Sequence, residues 1–345
     1  MDRTLQKDIQ AAADILRQGG VVAFPTETVY GLGADAANPE ALRRVFGIKG
    51  RPADHPLIVH FGDASLLDYW AGGVPEGAWR LALGFWPGPL TLILPRRVHV
   101  QRLVTGGQDT VGLRVPDHPV ALALLHALGS DKGLAAPSAN RFGRISPTTA
   151  AHVQNGLGGA VDMILDGGPC RVGVESTIIG FDGARPMLLR PGGIAVAHLE
   201  DVLGQKIAPP DAAPPSLRAP GRLASHYAPS TPLEVWPGEA LERRAGELTT
   251  QGQRVALLEL TASSSATPDA PRLFRFPMPP RATTYARALY AALHSADGAN
   301  FDRILAEAPP LDADWQTVHD RLRRAAALYS LPGTPAREMA DESFA

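Results

Sequence analysis

Cysteine is almost missing from this chain: Cys170 is the only one in 345 residues. A lone thiol excludes an intramolecular disulfide framework and a cysteine-built zinc site, so a reducing compartment is expected. The 10 histidines show no H-E-x-x-H or similar spacing, and no protein-built metal site is expected. Charge of one sign is lacking too. With 33 Lys+Arg against 35 Asp+Glu the net charge is −2, so bulk electrostatics give nucleic-acid binding no support. No stretch approaches the ~20 apolar residues of a membrane span. The opening MDRTLQKDIQAAADILRQGG is charged throughout, without an apolar h-region, so no secretory signal is expected and a cytoplasmic location is. There is no Walker A loop. GLGADA, Gly31 to Ala36, meets the loose G-x-G-x-x-A form, but a dinucleotide site needs its glycines to run straight into a helix. Here Asn38-Pro39 opens the helix only after the glycines have passed, and the region that should supply a ribose-binding acid is the cationic KGR.

What is present is 45 % apolar residues in a chain of two-domain length. Ile9, Ala12, Ala13, Ile15 and Leu16 recur at helical spacing up to Gly19-Gly20. The apolar VVAF then meets Pro25 and delivers Thr26, Glu27, Thr28 and Tyr30 to a mouth, with Gly31 and Gly33 expected to turn the backbone sharply. A helix from Asn38 ends near Gly47. Lys49 and Arg51 follow in a Gly/Pro-punctuated loop before the strand LIVHF, a setting that suits an anion. LTLIL reads as a buried strand. TVGLRVP alternates, placing Thr110, Gly112 and Arg114 on one face and Val111, Leu113 and Val115 on the other. An arginine inside such a run needs a partner, either an internal carboxylate or an anionic substrate. Further elements are a helix over Pro119 to Leu128, a short strand at GLAAPSAN, a helix capped by Thr148 or Thr149, and the strands VDMILD, TIIGF and MLLRP. The loop PSANRFGRISPT gathers Ser138, Asn140, Arg141, Arg144, Ser146 and Thr148, the hydroxyls and guanidinium groups of a phosphate loop or of an ordinary helix-capping turn.

Alternating strands and helices indicate α/β with a partly parallel sheet. Residues 209–220, PPDAAPPSLRAP, hold five prolines in twelve and are read as an extended linker rather than a packed element. Beyond it LEVW, RVALLEL and RLFRF are strand-like, TASSSATPDAP at 261–271 is a polar loop, and Ala282 to Ser295 and Trp315 to Tyr329 are amphipathic helices. The expected division is a catalytic domain at 1–208, a linker or lid at 209–230, a small α/β domain at 231–335 and a tail at 336–345.

FPTETVYGLGADA followed by KGRPADHPL resembles the YrdC-like domain of the threonylcarbamoyl-AMP synthase family. GPLTLILP, TVGLRVPDHP, AAPSANRFGRISPT, GVESTI and LRPGGI follow in that family's order, and ASHYAP with the tail resembles its long, two-domain form. The resemblance covers roughly residues 8–200 most strongly. It implies a twisted, open, mixed sheet with helices and a Rossmann-like C-terminal domain. The implied activity is nucleotidyl transfer: L-threonine, bicarbonate and ATP give L-threonylcarbamoyl-AMP and pyrophosphate, which supplies threonylcarbamoyladenosine in tRNA.

By that resemblance Thr28, His60, Arg114, the Ala136 backbone and Ser176 hold threonine. Arg51, His55, Thr110, Ser138, Ser146, Arg190 and Tyr227 hold ATP, and Lys49 and Arg51 carry the catalytic charge. His55 stands where the family commonly has Asn. Magnesium enters on the ATP phosphates. The downstream tRNA-modifying machinery and a weak tRNA contact are the implied partners. An RNA-binding module without nucleotide turnover, and a carbamoyl-transfer enzyme of related fold, are the alternatives.

Overall fold

A computed structural model describes residues 2–129, 131–214, 217–221, 223–260 and 272–327. The expected polar loop at 261–271, the end of the last helix at residues 328 and 329, the domain end at 335 and the tail lie outside the described residues.

The chain opens with α1 (Arg3–Arg17), capped by the Asp2 side chain, which accepts from the Leu5 N–H, and burying Ile9, Ala12, Ala13 and Leu16. Then come β1 (Val22–Phe24), β2 (Gly31–Asp35), α2 (Pro39–Lys49), β3 (Ile58–His60), α3 (Leu67–Trp70), α4 (Glu76–Phe85), β4 (Leu90–Pro95), β5 (Thr110–Arg114), α5 (Pro119–Leu128), β6 (Leu134–Ala135), α6 (Ala150–Leu157), β7 (Met163–Ile164), β8 (Thr177–Asp182), β9 (Arg185–Arg190) and α7 (Val196–Leu203). Asn38 caps α2 through the Glu40 and Ala41 N–H groups, and Gly50, at φ 64°, ends it. The helix therefore runs past Gly47 and takes Lys49 as its last residue, because the left-handed position falls at Gly50. Thr149, rather than Thr148, caps α6.

Gly31 and Gly33 do not turn the chain. They lie within β2, paired antiparallel with β1. Their need for glycine is space: a Cβ on Gly33 would stand 2.7 Å from the Phe24 ring. The helix α7 was not expected from the sequence, where its eight residues follow Gly192-Gly193 without a capping side chain.

Nine strands form one mixed sheet in the order β7-β1-β2-β6-β3-β5-β4-β8-β9. β3 is parallel to β5 and β4 to β8, while β4 and β5 are antiparallel, as are β8 and β9. Side chains alternate across such a sheet, and the two faces have different fates. Val59, Val111, Leu113, Leu92 and Ile179 share a core cluster with Leu81 and Ala82 of α4 and Leu199 and Leu203 of α7. On the other face Ile58, Ile93 and Ile178 cluster with Met187, Leu189, Ala208, Leu217 and Ala219.

That second cluster revises the expected linker. Apolar Leu217 and Ala219, spaced by two like strand residues, lay the proline-rich segment onto the sheet instead of leaving it solvated. Gly180 makes the seat, since a Cβ there would come within 2.6 Å of the Leu217 side chain. The chain divides into two compact units, Met1–Phe142 with Ser146–Arg222, and Gly143–Ile145 with Leu223–Ala345.

The second unit has β10 (Leu233–Trp236), α8 (Gly238–Thr250), β11 (Val255–Glu259), β12 (Leu273–Pro277), α9 (Ala282–Asp297), β13 (Arg303–Glu307) and α10 (Gln316–Ala326). Its sheet, in the order β10-β13-β11-β12, is parallel at each pairing. Leu241, Ala245 and Leu248 of α8 pack on Val255, Leu257 and Leu305. Among the described residues no helix is long and apolar enough to cross a membrane.

Gly180→Val is expected to push Leu217 off its seat. Stability should fall by about 1–3 kcal/mol in urea titrations, and limited proteolysis should cut earlier in the proline-rich segment.

Candidate active site

The polar face of the first sheet is built by register. His60 pairs with Arg114 across β3 and β5, and Leu92 with Leu113 across β4 and β5, so Thr91 stands one step further along, level with Arg114. Thr91 is paired with Ile178, and Ile178 with Arg190. His60, Arg114, Thr91 and Arg190 therefore lie along one row that crosses five strands, all of them buried.

A guanidinium in such a place must be met by oxygen. Arg114 donates through Nε to the Gly88 carbonyl at 3.2 Å and through Nη1 to Thr28 Oγ1 at 2.9 Å. Its Nη2 lies 2.6 Å from Glu27 Oε1. Of the two partners open to Arg114 in the sequence, the internal carboxylate is the one in place. Arg190 donates from Nε and Nη2 to the Ser176 carbonyl at 3.2 and 2.9 Å, from Nη2 to Ser176 Oγ at 3.1 Å, and from Nη1 to the Pro220 carbonyl at 3.3 Å. Ser176 Oγ shares a hydrogen bond of 2.7 Å with Thr91 Oγ1, so hydroxyls join the two arginine positions. The chain comes close here because residue 192 is glycine: a Cβ would fall 2.3 Å from the Ser176 backbone.

The turn before β2 is held from within. Thr26 Oγ1 contacts Thr28 Oγ1 at 2.8 Å, donates to the Val29 carbonyl at 2.6 Å and accepts from the Val29 N–H at 3.2 Å. Ala136 spends its N–H on the Ile58 carbonyl, so that N–H is not open to a ligand. His60 lies edge-on to Phe24. Burial, and then the charge of Arg114, lower its pKa to about 3, so the ring is neutral near pH 7 and offers hydrogen bonding rather than charge.

The cationic residues form a second group. Lys49 Nζ donates to the Ser138 carbonyl at 2.6 Å and the Asn140 carbonyl at 2.5 Å. Burial, with the Arg51 charge second, pushes its ammonium well below the usual lysine range. Two of its three N–H groups thus hold the Ser138–Asn140 loop, and what was expected to be a phosphate cation is first a tether for that loop. Arg51 donates to the Pro56 carbonyl at 2.9 Å and lies 5.6 Å above the Phe142 ring. His55 meets the same ring edge-on at 5.3 Å. Burial and then Arg51 lower the His55 pKa, with Asp54 opposing and Arg218 adding to the shift. Ser146 is buried and donates to Glu175 Oε1 at 2.6 Å, directly before Ser176.

Thr110 stands at the other end of β5 from Arg114, about 13 Å along the strand. It lines a cavity of about 450 Å³ with Gln108, Phe181, Leu217 and Arg218. Tyr227 belongs to the second unit. There its ring packs 5.8 Å from Tyr290, Arg321 lies 4.9 Å above it, and its backbone takes a positive φ of 63°. Cys170 is buried, and burial pushes its thiol up to about 12, which suits a packing residue.

Thr91 was not assigned to the site from the sequence, and Glu175 and Glu27, the latter expected at the mouth, were given no role there. The signal for Thr91 was one hydroxyl within the apolar LTLIL. For the two acids it was a carboxylate beside a site hydroxyl, Glu27 before Thr28 and Glu175 before Ser176.

A family model described as "Telomere recombination" matches residues 14–192, and one described as "Threonylcarbamoyl-AMP synthase, C-terminal domain" matches residues 194–327. The chain is 41% identical over 333 residues to the threonylcarbamoyl-AMP synthase of Pyrococcus abyssi, spanning 94% of this chain and 95% of that protein. It is 42% identical over 331 residues to the threonylcarbamoyl-AMP synthase of Bacillus subtilis, spanning 94% of each. The crystal structure of P. abyssi Sua5 complexed with L-threonine matches with a TM-score of 0.84 at 40% identity, over 93% of this chain and 94% of that one.

Two outcomes are expected. Because the folded pKa of His60 lies below its ordinary 6.5, the unfolded chain binds a proton that the folded chain refuses. Its contribution is complete above pH 6.5 and is lost as pH falls towards 3, at no more than about 1.4 kcal/mol per pH unit. Denaturant midpoints at pH 7 and 4.5 should differ less in His60→Gln. Lys49→Met, which strands two buried carbonyls, should lower stability by about 2–4 kcal/mol in urea unfolding.

Proposed function

The chain belongs to the threonylcarbamoyl-AMP synthase family, and from that premise we infer that it is a nucleotidyltransferase that converts L-threonine, bicarbonate and ATP into L-threonylcarbamoyl-AMP and pyrophosphate. The observation that carries this reading is the buried row of His60, Arg114, Thr91 and Arg190, with Ser176 between the two arginines. Two cationic positions joined by hydroxyls fit a small zwitterion set against a polyphosphate. The relative solved with L-threonine supports the zwitterion half.

Arg114 takes the threonine carboxylate, for which a guanidinium offers paired donors. Thr28 and neutral His60 meet the hydroxyl, the Ala136 carbonyl meets the amine, and Ser176 closes the pocket. The amine nitrogen, once deprotonated, bonds to the carbon of bicarbonate, and water leaves to give a carbamate. A carbamate oxygen then attacks the α-phosphorus of ATP while the bond to the β-phosphate breaks and pyrophosphate departs. The second step needs no strongly basic side chain. Positioning and cancellation of charge carry such a transfer, which accounts for a site of Arg, Lys, Ser and Thr. Arg190, Arg51, Ser138 and Ser146 receive the nucleotide, with Thr110 and His55 at its margin. Lys49 acts largely through the loop it holds.

The donor set fits magnesium carried by the triphosphate rather than by side chains. Glu27 is spent on Arg114 and Glu175 on Ser146, and among the described residues no group of three or more His, Cys, Asp or Glu is placed to hold a metal. When bound, the ion neutralises charge on the departing pyrophosphate. The product is a reactive mixed anhydride, so a transferase acting on tRNA is the expected consumer.

Pyrophosphate release from ATP should require threonine and bicarbonate together, with each single omission reducing it to background. Arg190→Ala should lower kcat/KM for ATP by roughly 100-fold, the scale of losing a charged phosphate contact. Release without threonine, or salt-dependent RNA binding with no release, would overturn the reading.

A further inference from the structure

Glu27 has no part in the chemistry described so far, yet it is among the most buried charged groups of the first unit. Its relative exposure is 0%, and its two carboxylate oxygens take no hydrogen bond among the described residues. A carboxylate in that state is costly unless an opposite charge faces it. Arg114 Nη2, at 2.6 Å, supplies that charge.

The turn carrying Glu27 is fixed on both sides. Thr26 Oγ1 accepts from the Thr28 and Val29 N–H groups, each at 3.2 Å, and the Glu27 carbonyl accepts from the Val172 N–H at 2.7 Å. Arg114 is thus gripped at three points on three nitrogens: Gly88 at Nε, Thr28 at Nη1 and Glu27 at Nη2. A guanidinium has five N–H groups. Nη1 keeps one N–H, and Nη2, which meets Glu27 as an ion pair without a hydrogen bond, keeps both, so each Nη has a donor for the pair that binds a carboxylate bidentately.

We propose that Glu27 is a positioning residue for amino-acid recognition, its buried carboxylate fixing the Arg114 guanidinium in the pose that meets the substrate carboxylate. This rests on the reading of Arg114 as the carboxylate anchor. A pair kept for stability alone has no such need, since apolar replacements of buried ion pairs are often neutral or stabilising.

The test uses the full chain and compares L-threonine with L-threoninol, which has an alcohol in place of the carboxylate. Kd values are measured by calorimetry for Glu27→Gln, Glu27→Asp, Arg114→Gln and the double variant E27Q/R114Q. Glu27→Gln should weaken threonine about tenfold or more, the scale of a misaligned charged hydrogen bond, and change threoninol and ATP less than about twofold. The double variant should bind threonine no more weakly than Arg114→Gln. Should Glu27→Gln fail to fold, Glu27→Asp, which shortens the reach while keeping the charge, must show the same split between threonine and threoninol.

Equal losses for threonine and threoninol, or unchanged threonine binding, overturn the proposal. If Arg114→Gln loses threonine while Glu27→Gln keeps it, the anchor reading survives and the role of Glu27 falls. If Arg114→Gln leaves threonine binding intact, the anchor reading itself is wrong.

Discussion

A guanidinium removed from water has to be surrounded by oxygen, and the first unit is arranged to do this twice within one sheet. Arg114 finds a carbonyl, a hydroxyl and a carboxylate from two different turns. Arg190 finds the carbonyl and hydroxyl of Ser176 and the carbonyl of Pro220. Neither set exists in a short segment of chain. Each forms only when the strand bearing the arginine lies beside loops that enter other strands, so satisfying the two charges and assembling the site are one event. Buried charges left without partners cost several kcal/mol each, which makes the correct assembly of these loops a condition of folding.

The two faces of the sheet divide the labour. Val59, Leu92, Val111, Leu113 and Ile179 give one face to the helices α4 and α7, where close packing supplies rigidity. The opposite face holds the polar row beside a smaller apolar cluster roofed by Leu217 and Ala219. Proline-rich backbone suits that roof. It has few N–H groups that need partners, while its carbonyls remain as acceptors, and Pro220 uses its own on Arg190. The cations of the site are similarly engaged before any ligand is considered: Lys49 by the loop it tethers, Arg51 by the Pro56 carbonyl and the Phe142 ring. Groups held in this way are already in position, and pre-positioned groups limit the reorganisation cost of binding.

Much of the architecture was legible in the residues. The period-two pattern of TVGLRVP placed Arg114 on the face opposite Val111, Leu113 and Val115, and Val111 and Leu113 do lie in the helix-packed core. The Asn38-Pro39 start of α2 and the span of α5 follow local capping and helical spacing that need no tertiary information. Gly31 and Gly33 misled, because a glycine needed for the space of a distant ring reads like one needed for a turn. The proline-rich segment misled for a related reason, since composition does not show that Leu217 has a seat above Gly180.

The sequence by itself determined most of the elements, the family and the residue types of the candidate site, because helix caps, strand alternation and ordered motifs are local properties of the chain. The tertiary structure decided which oxygen meets which cation. It set Glu27 rather than solvent against Arg114, Ser176 and Thr91 between the two arginines, and the Ser138 and Asn140 carbonyls on Lys49. Those pairings depend on strand order and register over separations of tens of residues, and a buried charge selects its partner by distance in space, which no local pattern encodes.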